Sequence, residues 1–149
     1  MTFTDLRRRA AVLAGDAVPL VARLILGHAF ILAGSGKLRN LEGTTTFFAG
    51  LGLPAPGVHA VVIGSVETLG GMLLVAGLFT RSAATVLAAV MVGAVATAER
   101  TEFLAALRPI PEKGLTDLAP VMFGLVAVLL AVLGPGRVAV DRFLVRPAV

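Results

Sequence analysis

Long apolar runs dominate this chain, broken by short polar stretches. Four stand out, spanning about 18–38, 58–79, 82–99 and 115–134. A hydrocarbon core about 30 Å thick takes about 20 helical residues. The first, second and fourth runs meet that length. The third is rich in alanine and reaches it only with Glu99 and Arg100 among the headgroups. The pattern predicts an all-α, integral membrane four-helix transmembrane bundle, with residues 1–149 forming a single membrane domain.

The polar stretches supply the punctuation. Residues 1–16 hold Thr4 as a helix cap, Asp5 in the first turn and a basic cluster at Arg7–Arg9. This reads either as an interfacial N-terminal helix, drawn to an anionic surface, or as a frayed basic tail. The first apolar run is too long, and lacks the small-residue cleavage site, for a removed leader. Asn40 is placed to cap a short helix that Gly50, Gly52 and Pro54 end. Phe47 and Phe48 lay that helix on the membrane or over the bundle. A tight turn near Thr80-Arg81 makes the second and third spans antiparallel neighbours. PIPEKG breaks the loop before the fourth span, which Thr116 and Asp117 cap and Pro120 tolerates in its first turn. Gly134-Pro135-Gly136 ends that span and releases a tail, 135–149.

Lysine and arginine flank the spans unequally. Arg7, Arg8, Arg9, Arg81, Arg137, Arg142 and Arg146 fall on one side, and Lys37, Arg39, Arg100, Arg108 and Lys113 on the other. The positive-inside rule then puts both termini, and the 135–149 tail, in the cytoplasm. The expected location is the bacterial inner (plasma) membrane, crossed several times.

Composition agrees with the pattern. Hydrophobic residues make up 57% and charged residues 15%, against about half and a quarter in soluble domains. Mean hydropathy is +0.94. The net charge of +4 is dispersed, and no basic patch is interleaved with aromatics, which argues against nucleic acid as a partner. Cysteine, tryptophan and tyrosine are absent. The chain therefore has no thiol chemistry, no thiolate metal site and no amphipathic aromatic belt.

The stretch AGSGKLRN at Ala33–Asn40 imitates a phosphate-binding loop. Aligning Gly36-Lys37 with the G-K of that motif puts Ile31 where its first glycine belongs and Leu38 where its hydroxyl belongs. Both positions fail, and the segment reads as a helix end. There Lys37 and Arg39 reach for headgroups and complement the helix C-terminus.

Ionisable groups inside a span are costly and point to function. Arg23, His28 and Glu67 are the candidates for an intramembrane polar site. Arg23 shares a stripe with Gly27, Phe30, Gly34 and Lys37, and either snorkels or packs inward. Glu67 lies too deep to snorkel, among Gly64, Gly70 and Gly71, so it points into the bundle with Arg23 as its leading partner. It serves there either as a structural ion pair or as a proton or ligand site. His28 lies near the middle of the first span, about 140° around the helix from Arg23. It reads as an interhelical hydrogen-bonding residue or as a quinone-carbonyl or proton contact. His59 falls at a helix end and reads as a surface residue. One histidine and one glutamate are too few for a structural metal site. Ala84, Ala88, Ala89 and Gly93 give the third span a close-packing face.

Ordered motifs run through these elements: R-x3-G-x2-F-x3-G-x2-K at Arg23–Lys37, F-x3-G-x-P at Phe48–Pro54, E-x2-GG-x5-G-x2-TR at Glu67–Arg81 and GPGR-x3-D at Gly134–Asp141. Together they resemble the DoxX family of small four-span bacterial membrane proteins. The resemblance implies a four-helix membrane bundle associated with redox enzymes of sulfur or oxidative-stress metabolism, some of them quinone-linked. It marks Arg23, Lys37, Glu67, Arg81 and Asp141 as the polar motif positions and assigns no catalytic residue. No haem, flavin or iron–sulfur motif is visible, so no cofactor is covalently bound and quinone is the candidate ligand. The expectation is a subunit or accessory of a membrane redox complex, with a protein partner or a second copy. The competing readings are a non-enzymatic scaffold and a small-molecule or proton pathway through Glu67.

Overall fold

The computed structural model describes residues 3–109, 112–136 and 138–141, with side chains from residue 17 onward. The side chains of Arg7–Arg9, residue Arg137 and the tail beyond Asp141 lie outside the described residues. Six α-helices follow in order: α1 (Phe3–Arg39), α2 (Leu41–Gly50), α3 (Pro56–Ala76), α4 (Thr80–Thr97), α5 (Arg100–Ala106) and α6 (Ala119–Leu133). The fold is all-helical across the described residues. Among the described residues three helices are long and apolar enough to cross a membrane: the Ala17–Arg39 part of α1, α3 and α4. α6 is apolar but has 15 residues, about 22 Å of helix.

Several boundaries differ from the sequence reading, each for a local reason. The N-terminal segment is continuous with the first span, and α1 carries Pro19 in its interior. The fourth helix starts later than its apolar run. Asp117 accepts from the Gly114 N–H at 2.8 Å and closes a 3-10 turn over Leu115–Asp117, so the α6 cap falls at Leu118. The turn between α3 and α4 is Gly77-Leu78-Phe79, and Thr80 and Arg81 already belong to α4. Gly77, at φ +68°, ends α3 in a Schellman motif: its N–H bonds Leu74 O at 3.1 Å, and that of Leu78 bonds Leu73 O at 2.9 Å. Asn40 caps α2 as its side chain suggests, accepting from the Gly43 N–H at 3.1 Å.

α1 and α3 form the tightest pair. A β-carbon on Gly34 would stand 2.5 Å from the Thr68 nitrogen and 2.6 Å from Gly64 O. One on Gly71 would stand 2.6 Å from Gly27 O. The two backbones therefore touch, at contacts seven residues apart on each helix. Gly70 faces the other way, onto Leu87 of α4. The buried core gathers Leu26 and Phe30 of α1, Leu74 of α3, Ala84, Leu87 and Met91 of α4, and Ala127 and Leu130 of α6. α2 folds back over one end of this bundle, burying Phe48 and leaving Phe47 exposed.

Candidate functional site

The antiparallel register of α1 and α3 decides which charges meet. Gly34 lies opposite Gly64 and Thr68, so Glu67 sits near the level of Gly34. Arg23 is eleven residues further along α1, about 16 Å away in helix rise. Lys37 is one turn from Gly34 on the near side. Glu67 accordingly pairs with Lys37, Nζ to Oε2 2.5 Å, and not with Arg23. The Glu67 side chain is only 3% exposed and that of Lys37 27%. Lys37 thus turns inward to a buried carboxylate, in place of the headgroup position its helix-end location suggested.

The pair stands in the wall of a cavity of about 470 Å³. Phe30 and Phe123 form one side, their rings tilted at 5.9 Å between centroids. Phe47 and Phe48 from α2 roof it, and the Met91 and Ala94 side of α4 closes the back. His59 lines it too. His59, Ile63 and Glu67 share one face of α3 at i, i+4 and i+8, a spacing that reveals the location once Glu67 is known to point inward. The result is a mostly aromatic and aliphatic chamber with an ammonium, a carboxylate and an imidazole at its edge. His28 does not line this cavity: it is exposed on the outer face of α1 and has no hydrogen-bond partner among the described residues.

Arg23 serves the opposite end. It is 2% exposed and donates through Nη2 to the Val138 carbonyl at 2.5 Å. Its Nε and Nη1 have no partner among the described residues. Gly77 packs so closely against Nη1 that no β-carbon fits between them. Asp141 completes this junction. Its carboxylate accepts from the N–H groups of Phe79 (2.5 Å) and Thr80 (2.9 Å), and its own N–H donates to Gly77 O at 2.9 Å. Phe79 begins α4 with φ +48° and offers no capping side chain. The cap therefore comes from 62 residues downstream. Arg81 is exposed and lies over the Gly134 turn. The motif positions thus divide in two: Lys37 and Glu67 at the cavity, and Arg23, Arg81 and Asp141 at the tail junction.

Membrane-length helices, an ion pair on a buried carboxylate and an apolar chamber define an integral, multi-pass membrane protein. The DoxX family profile matches residues 18–100, more than half of the chain. The chain belongs to the DoxX family. It is 38% identical over 78 residues to CatD of Bacillus subtilis, whose name assigns it provisionally to the oxidoreductases; the match covers 52% of this chain and 57% of CatD. It is 36% identical over 62 residues to the inner membrane protein YphA of Escherichia coli, covering 42% and 44%. These matches span about half the length of the curated relatives. No solved structure matches the chain. The family match takes in both halves of the α1–α3 contact and the Lys37–Glu67 pair, while Asp141 lies beyond it.

Proposed function

We propose that this chain is the membrane-embedded subunit of a redox complex in the bacterial inner membrane, and that the cavity beneath α2 takes the ring of a quinone. The observation that carries this reading is the placement of the Lys37–Glu67 pair in the wall of an otherwise apolar chamber. Its volume falls within the range of about 300–1,000 Å³ usual for small-molecule sites. A quinone ring suits aromatic walls, and its carbonyl oxygen accepts a hydrogen bond from an ammonium. Glu67 holds Lys37 in position and balances its charge away from water. The names of the two relatives, one assigned provisionally to the oxidoreductases and one an inner membrane protein, point the same way.

With no cysteine and no visible redox-cofactor motif, the chain depends on a partner to exchange electrons with the quinone. The test is native mass spectrometry of protein extracted gently from its own membrane. Quinone should accompany the wild type and His28→Leu, and be lost from Lys37→Met and Glu67→Gln. A wild type that carries no quinone, even after incubation with a short-tailed benzoquinone, would refute the assignment.

A further inference from the structure

His28 sits at the midpoint of its span. Eleven residues separate it from each end of Ala17–Arg39, about 16 Å of helix either way. It is exposed, and no hydrogen-bond partner reaches it among the described residues. Lipid tails offer a ring N–H nothing to bond, and an imidazole is too short to reach the headgroups from that depth. The neighbours of His28 are patterned. Val18, Val21, Ile25, His28 and Leu32 follow spacings of three, four, three and four residues, and all are exposed. The spacing puts all five on one outward face of α1, with His28 as the single polar residue within it; in a helix pair such a residue sets register and partner. The stripe lies on the outside of α1, away from the cavity wall formed by Phe30, Ala33 and Lys37.

We propose that a second copy of this chain covers the stripe. The two α1 helices pack in parallel about a two-fold axis along the membrane normal, and His28 of each copy meets the other's. Identical chains insert with one topology, so residues of equal depth face each other across such an axis. A neutral imidazole carries one N–H donor and one ring-nitrogen acceptor, so a pair of them is self-complementary, as a two-fold contact requires. Beside the N-terminal half of the stripe runs an apolar groove of about 510 Å³ between α1 and α6. Ala17, Val21, Met122 and Phe123 line it, and it offers space for side chains of the second α1.

The chain contains no cysteine, so single cysteines report without background. Ile25→Cys and Leu32→Cys keep His28 in place. Leu69→Cys on α3 and Val132→Cys on α6 are controls at exposed positions elsewhere. After oxidation in native membranes, the stripe positions should give a disulfide-linked dimer about tenfold above the controls. Adding His28→Leu should lower that yield about three- to tenfold, the range an interhelical hydrogen bond in a membrane supplies, and His28→Asn should restore it. Yields equal to those of the controls, or crosslinks to a different polypeptide, would overturn the dimer. A yield unchanged by His28→Leu would overturn the part given to His28. None of these outcomes depends on whether the cavity binds a quinone.

Discussion

Lys37 Nζ lies 2.5 Å from Glu67 Oε2, just beyond the point where Gly34 brings α1 and α3 into backbone contact. Removing Lys37 leaves the buried Glu67 carboxylate uncompensated, which costs up to about 3–5 kcal/mol unless a proton neutralises it. Lys37→Met should therefore destabilise the protein markedly. The double variant with Glu67→Gln should recover part of the loss, with a coupling above about 1 kcal/mol. Arg23→Met and Glu67→Gln, at opposite ends of the bundle, should add within about 0.5 kcal/mol. Melting in detergent around both cycles checks this. Additive behaviour of Lys37 with Glu67 would remove the ion pair as an energetic unit.

Asp141 stands in for the capping side chain that Phe79 lacks. Asp141→Ala should cost about 0.5–2 kcal/mol, the usual loss for a helix N-cap, whereas Asp141→Asn should keep most of the stability. The loss should be local. Amide exchange at Phe79 and Thr80 should speed up in Asp141→Ala while the centre of α3 stays protected. Uniform acceleration through the bundle, or none at Phe79, would show that the cap contributes nothing.

Two glycines of α1 separate packing from propensity. A β-carbon at Gly34 would stand 2.5 Å from the Thr68 nitrogen, while Gly36 has nothing within 4 Å. Gly34→Ala should cost about 1–3 kcal/mol by prising α1 from α3. Gly36→Ala should be neutral or stabilise by up to about 1 kcal/mol, because alanine favours the helix. Equal melting temperatures for the two variants would contradict the close contact.

Much of this was legible along the chain. The first three apolar runs located the membrane-length helices, because transfer of a helix into lipid depends on the summed apolarity of consecutive residues; the fourth run located a shorter apolar helix. Asn40 announced the cap of α2, since a capping bond spans only three residues. Glu67 among glycines read as inward-facing, because periodicity places a residue on its own helix. The late start of α6 was not legible: Asp117 is equally suited to cap a helix or to close the 3-10 turn that it forms with Gly114.

Which charges meet was decided in three dimensions. Arg23 and Lys37 lie on one stripe of α1, and either is chemically suited to Glu67. Only the axial register of α1 against α3, set where glycine backbones touch, puts Lys37 beside the carboxylate and leaves Arg23 at the far end. The same holds for Asp141, which finds the start of α4 only because residues 138–141 pack against the Gly77 turn. His59 and His28 exchanged expectations for this reason too, one drawn into the cavity and the other left outside. A residue's sequence neighbours determine its depth and its position around its own helix. Its partners depend on the rotation and offset between helices, which arise from contacts distant in the chain.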